Sequence, residues 1–174
     1  MHGSNYREAK SMFYNKKFAP GTPNPKVARF TTGKFSHDYD YKVELVSTAR
    51  LQIRSNALEA ARVAASKKLA SIGEEAFYLR VVSYPFVVMR ENKMIATAGA
   101  DRLQEGMRKA FGKPIGVAAR VDIGSVILDI KIKAENLDKA KAALKAATTK
   151  LPFRYKIVVT PLEKPAKAEA AVPA

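Results

Sequence analysis

A strongly basic, glycine-punctuated segment spans residues 90–120, between two stretches that have the pattern of core strands. It carries seven cations, three acids and four glycines. Such a segment does not suit a core, because each unpaired charge would have to leave water. It suits a place where backbone approaches a polyanion, since glycine has no side chain and Arg and Lys contact phosphate oxygens. We therefore do not expect a core to be built from this segment as a whole.

The whole chain has the same charge bias. Its 31 Lys and Arg residues against 16 Asp and Glu residues give a formal charge of +15. A field of this sign attracts nucleic acid through counterion release. An anionic membrane is the weaker alternative, because no run approaches the roughly 20 apolar residues of a spanning helix and the cations are spread along the chain. We expect a nucleic-acid partner and no membrane.

The rest of the composition indicates one globular domain without a cofactor. Hydrophobic residues make up 47% of the 174 residues, enough for a real core. The chain contains no cysteine and only two isolated histidines, His2 and His37, so we expect neither disulfides nor a metal centre. The N-terminus lacks the pattern of a secretion signal, and the absence of cysteine is typical of reducing cytosol.

Hydrophobic periodicity predicts an α+β fold, in which two long helices pack on a mixed, mainly antiparallel sheet. The predicted strands are residues 41–45, 51–54, 77–84, 86–89, 117–121, 126–132 and 155–160. In the strand at 126–132 we expect Ile130 to face the core and Asp129 to face solvent. The helices should carry apolar stripes formed by Leu58, Ala61, Ala65, Leu69 and Ile72, and by Leu137, Ala140, Leu144 and Ala147. Asn56 with Glu59, and Asn136, have the pattern of helix N-caps.

Three regions are predicted along the chain. Residues 1–37 mix cations, aromatics and prolines, and are expected to form an extended arm without regular structure. Residues 38–160 form the α+β domain, with a basic loop at residues 93–116. Residues 161–174 are an Ala/Lys/Pro tail too poor in large apolar groups to order.

No catalytic motif stands up to inspection. The nearest is GMRKAFGKP at residues 106–114, but a P-loop needs four residues between its glycines and Ser or Thr after Lys, where this chain has five residues and Pro114. Nucleophilic sets are lacking, since cysteine is absent and neither histidine has a motif around it. We expect a protein that is not an enzyme.

The best candidates for RNA contact from the pattern alone are Arg50, Arg54 and Arg62, which cluster at a strand-to-helix junction and carry the planar fork that suits phosphate. Replacing Arg54 and Arg62 by Ala should weaken RNA docking and leave the fold intact. On the second helix, Lys139, Lys141 and Lys145 are read as a solvated face. The full predicted RNA-binding set is Arg50, Arg54, Arg62, Lys67, Arg90, Lys93, Arg102, Arg108, Lys109, Lys113 and Arg120.

Three motifs resemble one family. QIRSNALEAARVAA at residues 52–65, RENKM at residues 90–94 and AGADRLQEGMRKAFGKPIGVAARV at residues 98–121 are similar to the characteristic stretches of the large-subunit ribosomal proteins called L-ten-e in archaea and eukaryotes and L-sixteen in bacteria. Order and spacing agree over residues 17–160, and the archaeal branch fits best.

The resemblance implies a hammerhead-like α+β domain and a structural role in cytoplasmic ribosomes. It implies docking on large-subunit rRNA near the tRNA-binding cleft and the peptidyl transferase centre, with neighbouring large-subunit proteins as further partners and a single copy per ribosome. It also implies that the glycine-rich loop approaches tRNA acceptor ends and that the protein supports translation and subunit maturation. Carried over by position, the tRNA-facing loop comprises Lys93, Met94, Ala98, Gly99, Ala100, Asp101 and Arg102.

Two points limit the transfer. Relatives often carry histidine where this chain has Ser55, Phe86 and Val87, so contacts made through those imidazoles do not carry over. A free-standing RNA-binding regulator or RNA chaperone would share the same charge and remains the alternative function. Sedimentation separates the two, because only a ribosomal protein would travel with large subunits.

Overall fold

The computed structural model describes residues 19–92 and 111–162. Within them the α+β prediction is confirmed, with two helices packed on antiparallel sheets in one domain. The elements in chain order are β1 (Thr31–Gly33), β2 (Tyr41–Ser47), β3 (Leu51–Arg54), α1 (Ser55–Leu69), β4 (Phe77–Val81), β5 (Val87–Glu91), β6 (Lys113–Val121), β7 (Val126–Ile132), α2 (Leu137–Thr148) and β8 (Tyr155–Pro161).

The larger sheet has five strands in the order β1-β4-β7-β2-β8, and every pairing is antiparallel. Residues opposite one another point to the same face, so the register Val43↔Ile130 gathers apolar side chains on one side. Both of these side chains are completely buried. The alternation predicted for β2 and for most of β7 is therefore the alternation between core and outer face.

The smaller sheet has three strands in the order β3-β6-β5. On β3, Leu51 and Ile53 face the core, and their register partners Val121 and Ala119 on β6 face it with them. The chain passes from β3 directly into α1, so the first residues of that helix are fixed to this sheet.

The two helices contact each other and pack on the core through small residues. The predicted stripe of α1 is confirmed for Leu58, Ala61, Ala65 and Leu69, which are all fully buried. Ile72 lies beyond α1, in a 3₁₀ turn, and is half-buried. On α2 the fully buried residues are Ala140, Ala143, Leu144 and Ala147. Alanines let two helix backbones approach closely, which explains their concentration on these two faces.

The predicted N-cap of α1 is wrong, and the predicted N-cap of α2 is right in position only. Helix α1 already begins at Ser55, with Arg54 at the N-cap position and no side-chain cap, so Asn56 lies in the first turn. Asn136 does precede α2, but its side chain makes no capping hydrogen bond. A short 3₁₀ turn at Ala134–Asn136 leads into α2 instead. Neither helix therefore begins with a side-chain capping hydrogen bond.

The expectation of no regular structure before residue 38 is wrong for β1. Its residues pair with β4 in the register Thr32↔Leu79, and the amide of Lys34 donates to the carbonyl of Phe77 at 3.1 Å. The edge of the sheet supplies unpaired backbone groups, and a short extended segment of the arm satisfies them.

Asp129 was expected to face solvent, and that expectation is also wrong. Its side chain has no exposed surface, although it lies on the outer face of the five-stranded sheet. β7 has a strand on each side, and the register places Arg80 of β4 and Glu44 of β2 directly beside Asp129. The Arg80 guanidinium covers the carboxylate with three hydrogen bonds of 2.7 to 3.2 Å.

Candidate nucleic-acid interface

Three arginines are associated with the outer face of the three-stranded sheet, opposite the core. The register pairs Gln52 with Arg120 and Arg54 with Ala118, which places Gln52, Arg54 and Arg120 on this outer face. Arg50 extends the row just before β3, where its Nε donates to Asp122 Oδ1 at 2.8 Å. We call Arg50, Gln52, Arg54 and Arg120 the arginine face.

The arginine face lies against buried residues of the same sheet. Ala118 is fully buried and has Arg54 as register partner on β3 and Val87 on β5. Arg54 and Arg120 are half-buried, and the Nε atoms of both are enclosed. Both side chains are therefore set partly into the protein surface.

Arg90 lies at the other end of the same sheet and contacts Phe111. Its guanidinium carbon lies 3.9 Å from the centroid of the Phe111 ring, and its Nη1 donates to the carbonyl of Phe111 at 2.6 Å. These contacts join the two ends of the segment 93–110, because Phe111 immediately follows that segment. The cation predicted to bind RNA therefore also fixes the base of the basic loop.

The C-terminal end of the predicted loop lies in a strand. β6 begins at Lys113, which is exposed and pairs with Glu91, so the last residues of the predicted loop 93–116 belong to a strand. The other predicted positions of the loop lie outside the described residues: Lys93, Met94, Ala98, Gly99, Ala100, Asp101, Arg102, Arg108 and Lys109.

We expect Gly112→Ala to distort the base of the loop. Gly112 has a φ of +75°, and an added Cβ would lie 2.7 Å from the backbone carbon of Glu91. Gly124→Ala is the matched control, because Gly124 has a φ of +83° with open space around it. Positive φ alone costs roughly 1 to 2 kcal/mol. Thermal unfolding should show a larger loss for Gly112→Ala than for Gly124→Ala, and equal losses would contradict the clash.

Arg62 lies on α1, where its side chain is bound within the protein. Its side chain is only 12% exposed, and its fork donates to both carboxylate oxygens of Glu59 at 2.6 and 3.0 Å. It also donates to Thr32 Oγ1 at 3.3 Å, while Glu59 accepts from the amide of Ala28 at 3.2 Å. This network holds the N-terminal arm on α1. We therefore leave Arg62 out of the proposed RNA surface, and its replacement by Ala should affect the fold.

The Glu59–Arg62 pair predicts a pH-dependent contribution to stability. The hydrogen bond from Arg62 lowers the pKa of Glu59 below its ordinary value of 4.5, against the opposing effect of burial. Because the folded-state pKa is lowered, the stabilisation is complete above pH 4.5 and is lost as pH falls through the lower, folded-state value. Glu59→Gln should cost about 1 to 2 kcal/mol at neutral pH. Denaturant unfolding of the wild type and of Glu59→Gln, at pH 7 and below pH 4, measures the difference between their free energies of unfolding. This difference should be smaller in acid.

Lys67 lies exposed in the last turn of α1, next to Lys68. It is therefore on a helix and not on the arginine face. Sequence reasoning also passed over exposed aromatic rings, including Phe35 and Phe153, which are 51% and 63% exposed. Phe35 contacts Tyr78 and has Lys131 Nζ 4.7 Å from its ring centroid. The available signal was a large aromatic residue between breakers and cations.

The described helices include none with the length and hydropathy needed to cross a bilayer.

Comparison with known proteins supplies the family. The sequence model of the family described as ribosomal protein L16p/L10e matches residues 7–158 of this chain. A protein of Hyperthermus butylicus is 53% identical over 159 residues, covering 91% of this chain and 88% of that protein. A protein of Sulfolobus acidocaldarius is 50% identical over 173 residues, covering 96% of this chain and 97% of that protein.

Both relatives are named large ribosomal subunit protein uL16. The resemblance found in the three sequence motifs is thus confirmed, as is the archaeal branch. Membership carries the general role with it: a non-enzymatic component of cytoplasmic ribosomes, with rRNA and other ribosomal proteins as partners. The chain belongs to the ribosomal protein L16p/L10e family and is a structural protein of the large ribosomal subunit.

Proposed function

We propose that this protein docks on large-subunit rRNA through its arginine face, near the tRNA-binding cleft and the peptidyl transferase centre, and so supports translation and subunit maturation. The observation that carries the proposal is the placement of Arg54 and Arg120 together on a sheet face opposite the core. Cations on this face are held by strands, so they meet a phosphate backbone without first having to be ordered.

The chemistry of arginine fits this surface. A guanidinium presents several donors in one plane, which matches two phosphate oxygens better than an ammonium group does. The formal charge of +15 supplies the longer-range attraction.

For the basic loop we propose an approach to tRNA acceptor ends, as the family resemblance implies. The support from the described residues is the base of the loop. Residues 92 and 111 lie at the same end of the β5–β6 pair, and the Arg90–Phe111 contact joins the two sides. The described residues on both sides of the loop therefore lead into the same three-stranded sheet that carries the arginine face.

The rRNA proposal is tested by washing purified ribosomes at high salt and sedimenting the subunits. We expect the chain to remain with large-subunit RNA until the salt concentration is high enough to release several phosphate contacts. Recovery of the chain mainly in slowly sedimenting fractions, with large subunits that lack it, would favour a free-standing RNA-binding regulator.

The tRNA proposal needs a separate experiment. A photoreactive amino acid placed at position 93 in assembled ribosomes should crosslink to the acceptor end of bound tRNA. The same substitution at Val63, an exposed position on α1, is the control. Crosslinks from position 93 that recover rRNA and never tRNA would contradict this part of the proposal without affecting the docking surface.

A further inference from the structure

Phe153 has an unusual backbone conformation and an unusually exposed ring. Its φ is +67°, the only positive φ of a non-glycine residue within residues 19–92 and 111–162. A bulky residue in this region costs conformational free energy that Gly would avoid and Asn would largely avoid. The ring is nevertheless 63% exposed, so burial of the side chain does not offset that cost.

The neighbours of Phe153 hold this conformation in place. Leu151 is buried, and the hydroxyl of Tyr155 donates to the carbonyl of Pro152. On the other side, Thr48 Oγ1 donates to the carbonyl of Arg154 at 2.7 Å. Strained residues persist when surrounding contacts over-determine them, and they concentrate at binding sites. The scaffold thus holds the Phe153 ring out from the surface.

A second exposed apolar residue lies at the same end of the five-stranded sheet. Ile123 is 72% exposed on the turn between β6 and β7. That turn is fixed to the end of β2, because the amide of Gly124 donates to the carbonyl of Ser47 at 2.9 Å. Ser47 in turn pairs with Tyr155 at the start of β8, two residues after Phe153.

The charge around Phe153 indicates the kind of partner. Arg154 and Lys156 follow it and are both exposed, Lys150 precedes it, and residues 150–156 contain no acid. An aromatic ring flanked by cations is the arrangement by which proteins stack on a base and contact the adjoining phosphates. A surface that binds another protein more often has an apolar centre surrounded by a polar rim.

We propose that Phe153 stacks on an unpaired base of large-subunit rRNA, with Arg154 and Lys156 contacting the neighbouring phosphates. This contact uses other residues than the arginine face, and it rests on the proposed docking on rRNA. It gives the protein a second attachment, specified by the shape of the RNA at a bulge or loop.

The test compares three variants of the full chain in rebinding to large subunits from which the protein has been removed. Phe153→Asn removes the ring and tolerates positive φ, so the isolated protein should be at least as stable as the wild type. Its affinity should fall about 5- to 150-fold, the range for loss of one stacked base. Phe153→Leu should lose nearly as much, while Phe153→Tyr should bind like the wild type.

Chemical probing of the rRNA completes the test. We expect at least one base that is protected by the wild type and by Phe153→Tyr, and that becomes reactive with Phe153→Asn. Wild-type affinity of Phe153→Leu would show that an apolar pocket of a protein is the partner. Wild-type affinity of Phe153→Asn would overturn the proposal outright. If variants of the arginine face still bind weakly in that case, only this second contact fails and the proposed function stands.

Discussion

Replacing both Arg54 and Arg120 by Gln is expected to lower the affinity for large-subunit RNA about 10- to 100-fold. Each charged contact to phosphate at a partly solvated surface is worth about 1 kcal/mol, and 1.4 kcal/mol is a factor of ten. The slope of log affinity against log salt concentration should fall by about 2, because two phosphate contacts no longer release counterions. Filter binding at several salt concentrations measures both quantities.

A matched control separates position from net charge. Lys139→Gln with Lys145→Gln also removes two positive charges from the formal +15, but these residues lie on the exposed face of α2. We expect a loss of affinity well below that of the Arg54/Arg120 variant. Equal losses in the two double variants would show that RNA responds to overall charge and that the arginine face has no special role.

The second large effect concerns the pair Arg80–Asp129. Arg80→Ala should lower the free energy of unfolding by about 2 to 3 kcal/mol. Asp129 has no exposed side-chain surface, so loss of the guanidinium, which approaches to 2.7 Å, leaves a buried carboxylate without its counter-charge. The value lies below the usual range for a buried pair because Arg80 is 46% exposed and water can reach the site from its side.

Two further variants test this explanation. Lys141→Ala breaks the pair with Asp138, whose side chain is 99% exposed, and should change stability by less than about 0.5 kcal/mol. Replacing Arg80 and Asp129 together by Leu should recover much of the loss, because no charge then remains buried. Urea unfolding measures all three variants. A loss for Arg80→Ala no larger than that for Lys141→Ala would contradict the buried-charge account.

Sequence patterns predicted the elements whose own periodicity is strong. The alternation through Val43 and Leu45 marks β2, and the spacing of Leu58, Ala61 and Ala65 marks the buried face of α1. These features depend on residues close together in the chain, so local reasoning identifies them. β1 was not predicted, because the prolines of the N-terminal arm indicate irregular structure. Its formation depends on pairing with the edge of β4, which lies far away in sequence.

The candidate site was predicted in part for the same reason. Arg50 and Arg54 each lie two residues from Gln52, so the alternation of side chains along a strand places all three on one face. Arg120 joins them only through the register of β6 with β3, which no local pattern encodes. The partners of Arg62 were not predicted, because Thr32 belongs to the arm and lies far from α1 in sequence. The sequence shows which residues are charged, but the fold determines which residues they contact.

The central claim is that the arginine face contacts rRNA, and directed cleavage tests it most directly. The chain contains no cysteine, so Gln52→Cys creates a single attachment point for an iron chelate on that face, and Val63→Cys creates a control point on α1. In assembled large subunits, radicals generated at position 52 should cleave a compact set of rRNA nucleotides more strongly than radicals generated at position 63. Cleavage from position 63 with none from position 52 would contradict the account.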